Sequence, residues 1–201
     1  MGSLSFPMSM IKKITNLIFE AFMLKEIKHE GRRMIHMKDP DSVAEHSLNA
    51  AQIWYILAKM EWADANKVAT MLVWHDLAET RIGDVHKVWA WYIKDKKQIE
   101  KKVMEDQLAG FDFGPEIKEY FDEYENRLTI EWKIAKDADY LEQAFQAKIY
   151  MEIGYEKAHD RIENVGNALK TESAKKVWDQ MIKMHSTDRW KEENLKDLSN
   201  V

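Results

Sequence analysis

Apolar residues recur at three- and four-residue steps along most of the chain, in stretches such as MIKKITNLIFEAF, HSLNAAQIWYILAKM and IEWKIAKDADYLEQAF. That period lays one apolar stripe along a helix and makes no coherent face on a strand. Punctuation is sparse: three prolines and seven glycines stand among 201 residues, and β-branched alternation is scarce. The pattern predicts an all-α fold, a helical bundle of about six to eight helices whose stripes bury one another. Helices are expected near residues 8–27, 42–60, 64–80, 87–109, 115–127, 130–154 and 172–186, with a frayed one near 188–198.

Several of these ends have local causes. Ser42 and Glu45 form a capping box, the Ser hydroxyl accepting from the Glu45 amide while the Glu side chain returns to the Ser42 amide. Gly110 suits the left-handed position after a helix, Pro115 a first helical turn, and Thr171 an N-cap. The length supports one real core, and no linker, repeat or low-complexity tract divides the chain, so a single domain over 1–201 is expected, with C-terminal helices at 171–198.

Composition removes several classes of function. The net charge is −5 with the two signs well mixed, so no sequence-wide basic field recruits a nucleic acid polymer. With no cysteine there is neither a disulfide framework nor a thiolate zinc site. The opening MGSLSFPMSMIKKITNLIFEAF is interrupted by Lys12, Lys13, Asn16 and Glu20, lacks a secretory cleavage pattern, and has Phe6 where a myristoylation signal has Ser or Thr. No apolar run approaches the ~18 residues of a membrane span. A cytoplasmic protein acting off the membrane is expected.

Against this background, ionisable residues fall on inward-facing stripes. His46 shares a face with Ala50, Ile53 and Leu57; His75 with Met71, Leu72 and Ala78; Asp139 follows Trp132 and Ala135 at steps of three and four. Asp76 adds a carboxylate next to His75. Each alone reads as a satisfied core histidine or a surface acid. Together, inward charges with no balancing Lys or Arg call for a common partner, and a divalent cation is one. Nitrogen and oxygen donors without sulfur suit Mn, Co, Mg, Fe or Zn. Asp137, in the same DAD triplet, competes with Asp139 for the last place.

The strings PDSVAEHSLNAA, WHDLAETRIGD and EYENRLTIEWKIAKDADYLEQAFQA, with the spacing between them, resemble the HD-domain phosphohydrolase superfamily, and within it the 5′-deoxynucleotidase branch. The resemblance covers about residues 20–150. It implies an HD-domain helical bundle with His46, His75, Asp76 and Asp139 as metal ligands. It places Glu79 and Asp84 at the phosphate and leaving oxygen, where a second ion, Mg, is a further expectation. Glu123 and Glu125 also match a family string.

The chain departs from that family upstream. Relatives usually carry an Arg just before the Gly of an R-T-G-W-like loop; here His29 stands there, and Arg32 and Arg33 follow Gly31. These three are the candidate phosphate-binding residues. The segment HKVWAWYIKDKK is also unusual, and its aromatics make a homodimer an expectation. The expected activity is metal-dependent removal of phosphate from (deoxy)nucleoside 5′-monophosphates. The alternatives are a nucleoside triphosphate or other small phosphate ester as substrate, or a non-catalytic helical metal-binding module.

Overall fold

Each long apolar stripe becomes a helix, and the breaks between helices have local causes. The computed structural model describes residues 7–126, 129–188 and 190. In chain order these form α1 (Met8–Phe22), α2 (Glu30–Arg33), α3 (Val43–Met60), α4 (Ala65–Trp74), α5 (Glu79–Ile82), α6 (Lys87–Tyr92), α7 (Lys96–Leu108), α8 (Gly114–Asn126), α9 (Ile130–Glu152), α10 (His159–Ala168) and α11 (Glu172–Met181), with 3-10 turns at Met23–Lys25 and Glu156–Ala158. Among the described residues there is no strand; one isolated antiparallel bridge joins Lys28 and Ser42. The all-α class is as expected, but the eleven α-helical segments exceed the six to eight anticipated.

Four differences account for the excess. The helix expected over 64–80 ends at Trp74 and resumes as the short α5. The helix expected over 87–109 breaks between α6 and α7, where Asp95 takes φ 67°, a left-handed conformation that aspartate tolerates better than most residues. And α2, over a segment read as a loop, was not anticipated, nor was α10. Its Gly166 weakens the local helical signal, yet a Cβ there would lie 2.5 Å from the Trp178 ring, so glycine is what lets that indole approach. The frayed helix expected at 188–198 lies largely outside the described residues.

The chain groups into two compact units, Met1–Leu48 with Thr70–Asn126, and Asn49–Ala69 with Arg127–Val201. The first is built on a core of Leu17, Leu77, Ala78, Met104, Leu108, Phe111, Ile117 and Phe121. Burying each of the larger of these side chains contributes about 1.5–3 kcal/mol. The capping box forms as anticipated: Glu45 Oε2 accepts from the Ser42 amide at 2.6 Å, and Ser42 Oγ from the Glu45 amide at 3.2 Å.

A polar clamp holds α5 within this unit. Buried Gln107 donates to Glu20 at 2.9 Å, to the Leu77 carbonyl at 3.1 Å and to Thr80 at 2.8 Å, while Arg81 pairs with Glu20. The Arg81 hydrogen bond, foremost, holds the Glu20 carboxyl below its ordinary pKa. In the second unit, α9 buries Ile134, Ala135, Ala138, Leu141 and Ala144 along one stripe. Thr171 caps α11 as anticipated, its side chain accepting from the Ala174 amide.

Candidate metal centre

The pair His75-Asp76 lies in a turn rather than in the helix expected for it. After Trp74 the backbone tightens to three-residue hydrogen bonds: Leu77 to the Trp74 carbonyl, Glu79 to that of Asp76, Thr80 to that of Leu77. The His75 ring takes part in this switch. Its Nδ1 lies 2.7 Å from the Leu72 carbonyl, which in a continued helix would receive the Asp76 amide.

That contact also sets the role of each ring nitrogen. A carbonyl only accepts, so Nδ1 carries a proton and Nε2 is the nitrogen left to face a cation. Nε2 faces Asp76 Oδ2 at 3.0 Å. Two electron-rich atoms at that separation need a proton or a cation between them. His46, buried on α3, brings its Nε2 to 3.9 Å from the same carboxylate oxygen, and its ring centroid is 5.7 Å from that of His75. Ligand atoms of all three residues lie within 4.8 Å of one another. Two imidazole nitrogens and a carboxylate oxygen converging in a mostly buried site fit a divalent cation of borderline character.

Around this cluster stand the acids expected near the phosphate. Glu79 opens α5, is 8% exposed, and its Oε2 is buried without a hydrogen-bond partner among the described residues. Burial, and then the Asp76 and Asp84 carboxylates, push its pKa well above the ordinary value. Gly83 turns the chain out of α5 with φ 73°, a conformation that favours glycine. Asp84 then accepts from the Glu30 amide at 2.8 Å, which ties the metal segment to the start of α2.

The upstream candidates are differently engaged. Asp41 binds both His29 Nδ1, at 3.0 Å, and Arg32 Nε, at 2.9 Å, and all three side chains are largely shielded. The His29 ring meets His46 edge-on, centroids 4.7 Å apart. Arg33 is half exposed and pairs with Glu30 at 3.0 Å. Tyr124 places its ring edge against His75, 5.5 Å between centroids.

The DAD triplet belongs to the other unit, where its two acids differ. Asp137 is fully buried and accepts from the Lys170 amide, the Thr171 amide at 2.6 Å and the Thr171 hydroxyl at 2.8 Å. Burial raises its pKa, with those hydrogen bonds opposing. Asp139 is also buried, and its carboxylate binds Lys136 and Gln143. Of the other acids noted in the sequence, Glu125 forms an ion pair with Lys97 at 2.6 Å.

Sequence reasoning missed Asp41, Lys96 and Glu100. Lys96 and Glu100 pair at 3.0 Å and are both substantially shielded. In KDKKQIEKK nothing separates them from neighbouring charges on a solvated face. Only the break at Asp95, which starts a new helix at Lys96, sets them apart.

The HD domain family model matches residues 21–187. Over 151 residues the chain is 30% identical to 5′-deoxynucleotidase HDDC2 of Dictyostelium discoideum, covering 70% of this chain and 76% of that protein. Over 147 residues it is 27% identical to the Xenopus laevis protein of the same name, covering 72% of each. A conserved hypothetical protein of known structure from Pyrococcus furiosus superposes with a TM-score of 0.71 at 27% identity, over 85% of this chain and 99% of that one. The helical fold, the His75-Asp76 turn and these matches have one explanation: the chain belongs to the HD-domain family, whose members are metal-dependent phosphohydrolases.

Proposed function

We propose that this protein is a 5′-nucleotidase that removes phosphate from (deoxy)nucleoside 5′-monophosphates with a divalent metal ion. The observation that carries the reading is the convergence of His46, His75 and Asp76, with ligand atoms within 4.8 Å of one another and His75 Nε2 3.0 Å from Asp76, an arrangement that suits a cation. The relatives named 5′-deoxynucleotidase supply the substrate class.

In this reading His46, His75 and Asp76 hold the ion with Asp139 as fourth ligand. Asp137 is the weaker candidate because its carboxylate already caps the start of α11. A divalent ion there supplies Lewis-acid charge at a phosphoryl oxygen and acidifies a bound water. Hydrolysis breaks the bond from phosphorus to the 5′-oxygen; the water oxygen stays with the phosphate and a proton passes to the nucleoside. Glu79, buried with one oxygen unpartnered, is the acid–base group for that proton. Asp84 fixes α2 beside it and shares with Glu79 the place of a second ion, Mg.

Of the two α2 arginines, Arg32 is our candidate for the phosphate, its shielding and its pairing with Asp41 supporting the choice; Arg33, on an exposed ion pair, and His29 are secondary. We take residues 1–201 to act as one HD domain in the cytoplasm. The exposure of Trp89, Trp91 and Tyr92 supports a homodimer, and no described helix is long and apolar enough to cross a membrane.

The test is phosphate release across nucleoside mono- and triphosphates and simple phosphate esters, with Mn, Co, Mg, Fe and Zn in turn. Release from 5′-monophosphates is expected. A preference for triphosphates or simple esters, or no release with any metal, contradicts the proposal.

A further inference from the structure

A phosphate dianion entering this site meets an excess of negative charge. Asp76, Glu79, Asp84 and Glu100 all act on one another or on a shared neighbour electrostatically. Even two divalent ions would be shared between these four acids and the substrate dianion, so a cationic side chain beside them has a role. Arg32 shares its charge with Asp41 and Arg33 pairs with Glu30. Among the described residues, Lys96 is a cation that interacts with Glu79, Asp84 and Glu100 together.

Its setting is unusual for a lysine. The side chain is only 30% exposed, and among the described residues Glu100, at 3.0 Å, is its one ion-pair partner. An ammonium carries three donors, so two are left for something else. Burial works against the charge, but Glu100, with Glu79 and Asp84 behind it, holds the ammonium above the ordinary lysine pKa. The position is also firm. The left-handed turn at Asp95 starts α7 at Lys96, and α7 is anchored farther along by buried Met104, Gln107 and Leu108.

We propose that Lys96 is a substrate-binding residue, a second fixed cation that donates to the phosphate of the nucleotide. This rests on the phosphomonoesterase reading above. Glu100 takes one of the ammonium's donors, and the long apolar stem carries the charge across a half-buried surface. A merely structural lysine would balance Glu100 and leave phosphate affinity untouched.

Two readouts separate these roles: calorimetric binding of inorganic phosphate to manganese-loaded protein, and the KM for a deoxynucleoside 5′-monophosphate. Lys96→Met keeps most of the stem and removes the charge. It is expected to weaken phosphate binding and raise KM by roughly ten- to a hundredfold, the scale of a lost charge-assisted hydrogen bond, with metal content unchanged. Lys96→Arg should recover most of the phosphate affinity. Glu100→Gln, which removes the competing anion, should bind phosphate at least as tightly as the wild type.

Wild-type phosphate affinity in Lys96→Met, failure of arginine to restore it, or weakened binding in Glu100→Gln overturns the proposal. If Lys96→Met does not fold, the arginine and Glu100→Gln variants still decide it. Should the wild type bind phosphate yet release none from any nucleotide, the functional reading fails while the binding comparison still judges Lys96.

Discussion

Glu79 is where stability and chemistry conflict most directly. Its carboxyl is 8% exposed, one oxygen has no partner among the described residues, and burial together with the Asp76 and Asp84 carboxylates raises its pKa. In metal-free protein the folded chain therefore holds this proton more tightly than the unfolded chain, whose value lies near the ordinary 4.5. More protons bound in the folded state means that stability falls as pH rises. The loss begins near the unfolded pKa and continues until the folded pKa is passed, at about 1.4 kcal/mol per pH unit. Glu79→Gln keeps the shape and removes the ionisation. The amide inherits the buried polar cost, so the gain above pH 7 is set by the charge alone, on the order of 1–3 kcal/mol, or about 2–10 °C in Tm for a chain of this size. The assay is thermal unfolding of chelator-treated wild type and variant at pH 5 and pH 8. The variant's advantage should be small at pH 5 and grow at pH 8, while its turnover falls about 10²–10⁴-fold with metal restored. An advantage that does not change with pH, or a variant less stable at pH 8, refutes the reasoning.

Gln107→Leu removes the donor shared by Glu20, the Leu77 carbonyl and Thr80, and should cost about 1–3 kcal/mol in chemical denaturation while loosening α5 enough to lower kcat; an unchanged midpoint would show that the clamp is dispensable. Asp137→Ala should destabilise by at least about 1–3 kcal/mol, because it leaves the Lys170 and Thr171 amides without their acceptor, yet keep the metal, whereas Asp139→Ala should lose metal affinity; metal analysis beside unfolding curves checks both, and the opposite pattern would move the fourth ligand to Asp137.

The fold class was legible because helical period survives in the sequence wherever a stripe is buried, and the Ser42 and Thr171 caps were legible because capping depends on residues three apart. His46 and His75 could be found by the same stripes. What escaped depended on backbone choices that no stripe encodes. The helix stops at Trp74 because the His75 ring takes the Leu72 carbonyl, a competition invisible in residue spacing. Asp95 breaks α6 from α7 without proline or glycine, so Lys96 and Glu100 read as two more charges in a charged run. Asp41 drew no notice in the sequence, yet it binds both His29 and Arg32, residues twelve and nine positions before it. Asp137 and Asp139 were already ranked in the sequence, with Asp139 ahead, but the hydrogen bonds that Asp137 receives from Lys170 and Thr171 come from more than thirty residues away and leave no local signal. Each of these depends on tertiary neighbours rather than on local pattern.

The account rests on His46, His75 and Asp76 forming a metal site that drives phosphate release, and Asp76→Ala tests it most directly. Wild type and variant, stripped with chelator and reloaded with manganese, are measured on the same preparations for bound metal and for phosphate released from a deoxynucleoside 5′-monophosphate. The wild type should retain metal and release phosphate, and Asp76→Ala should lose both while remaining folded. A folded Asp76→Ala protein that keeps its metal, or that still releases phosphate at the wild-type rate, would contradict the account.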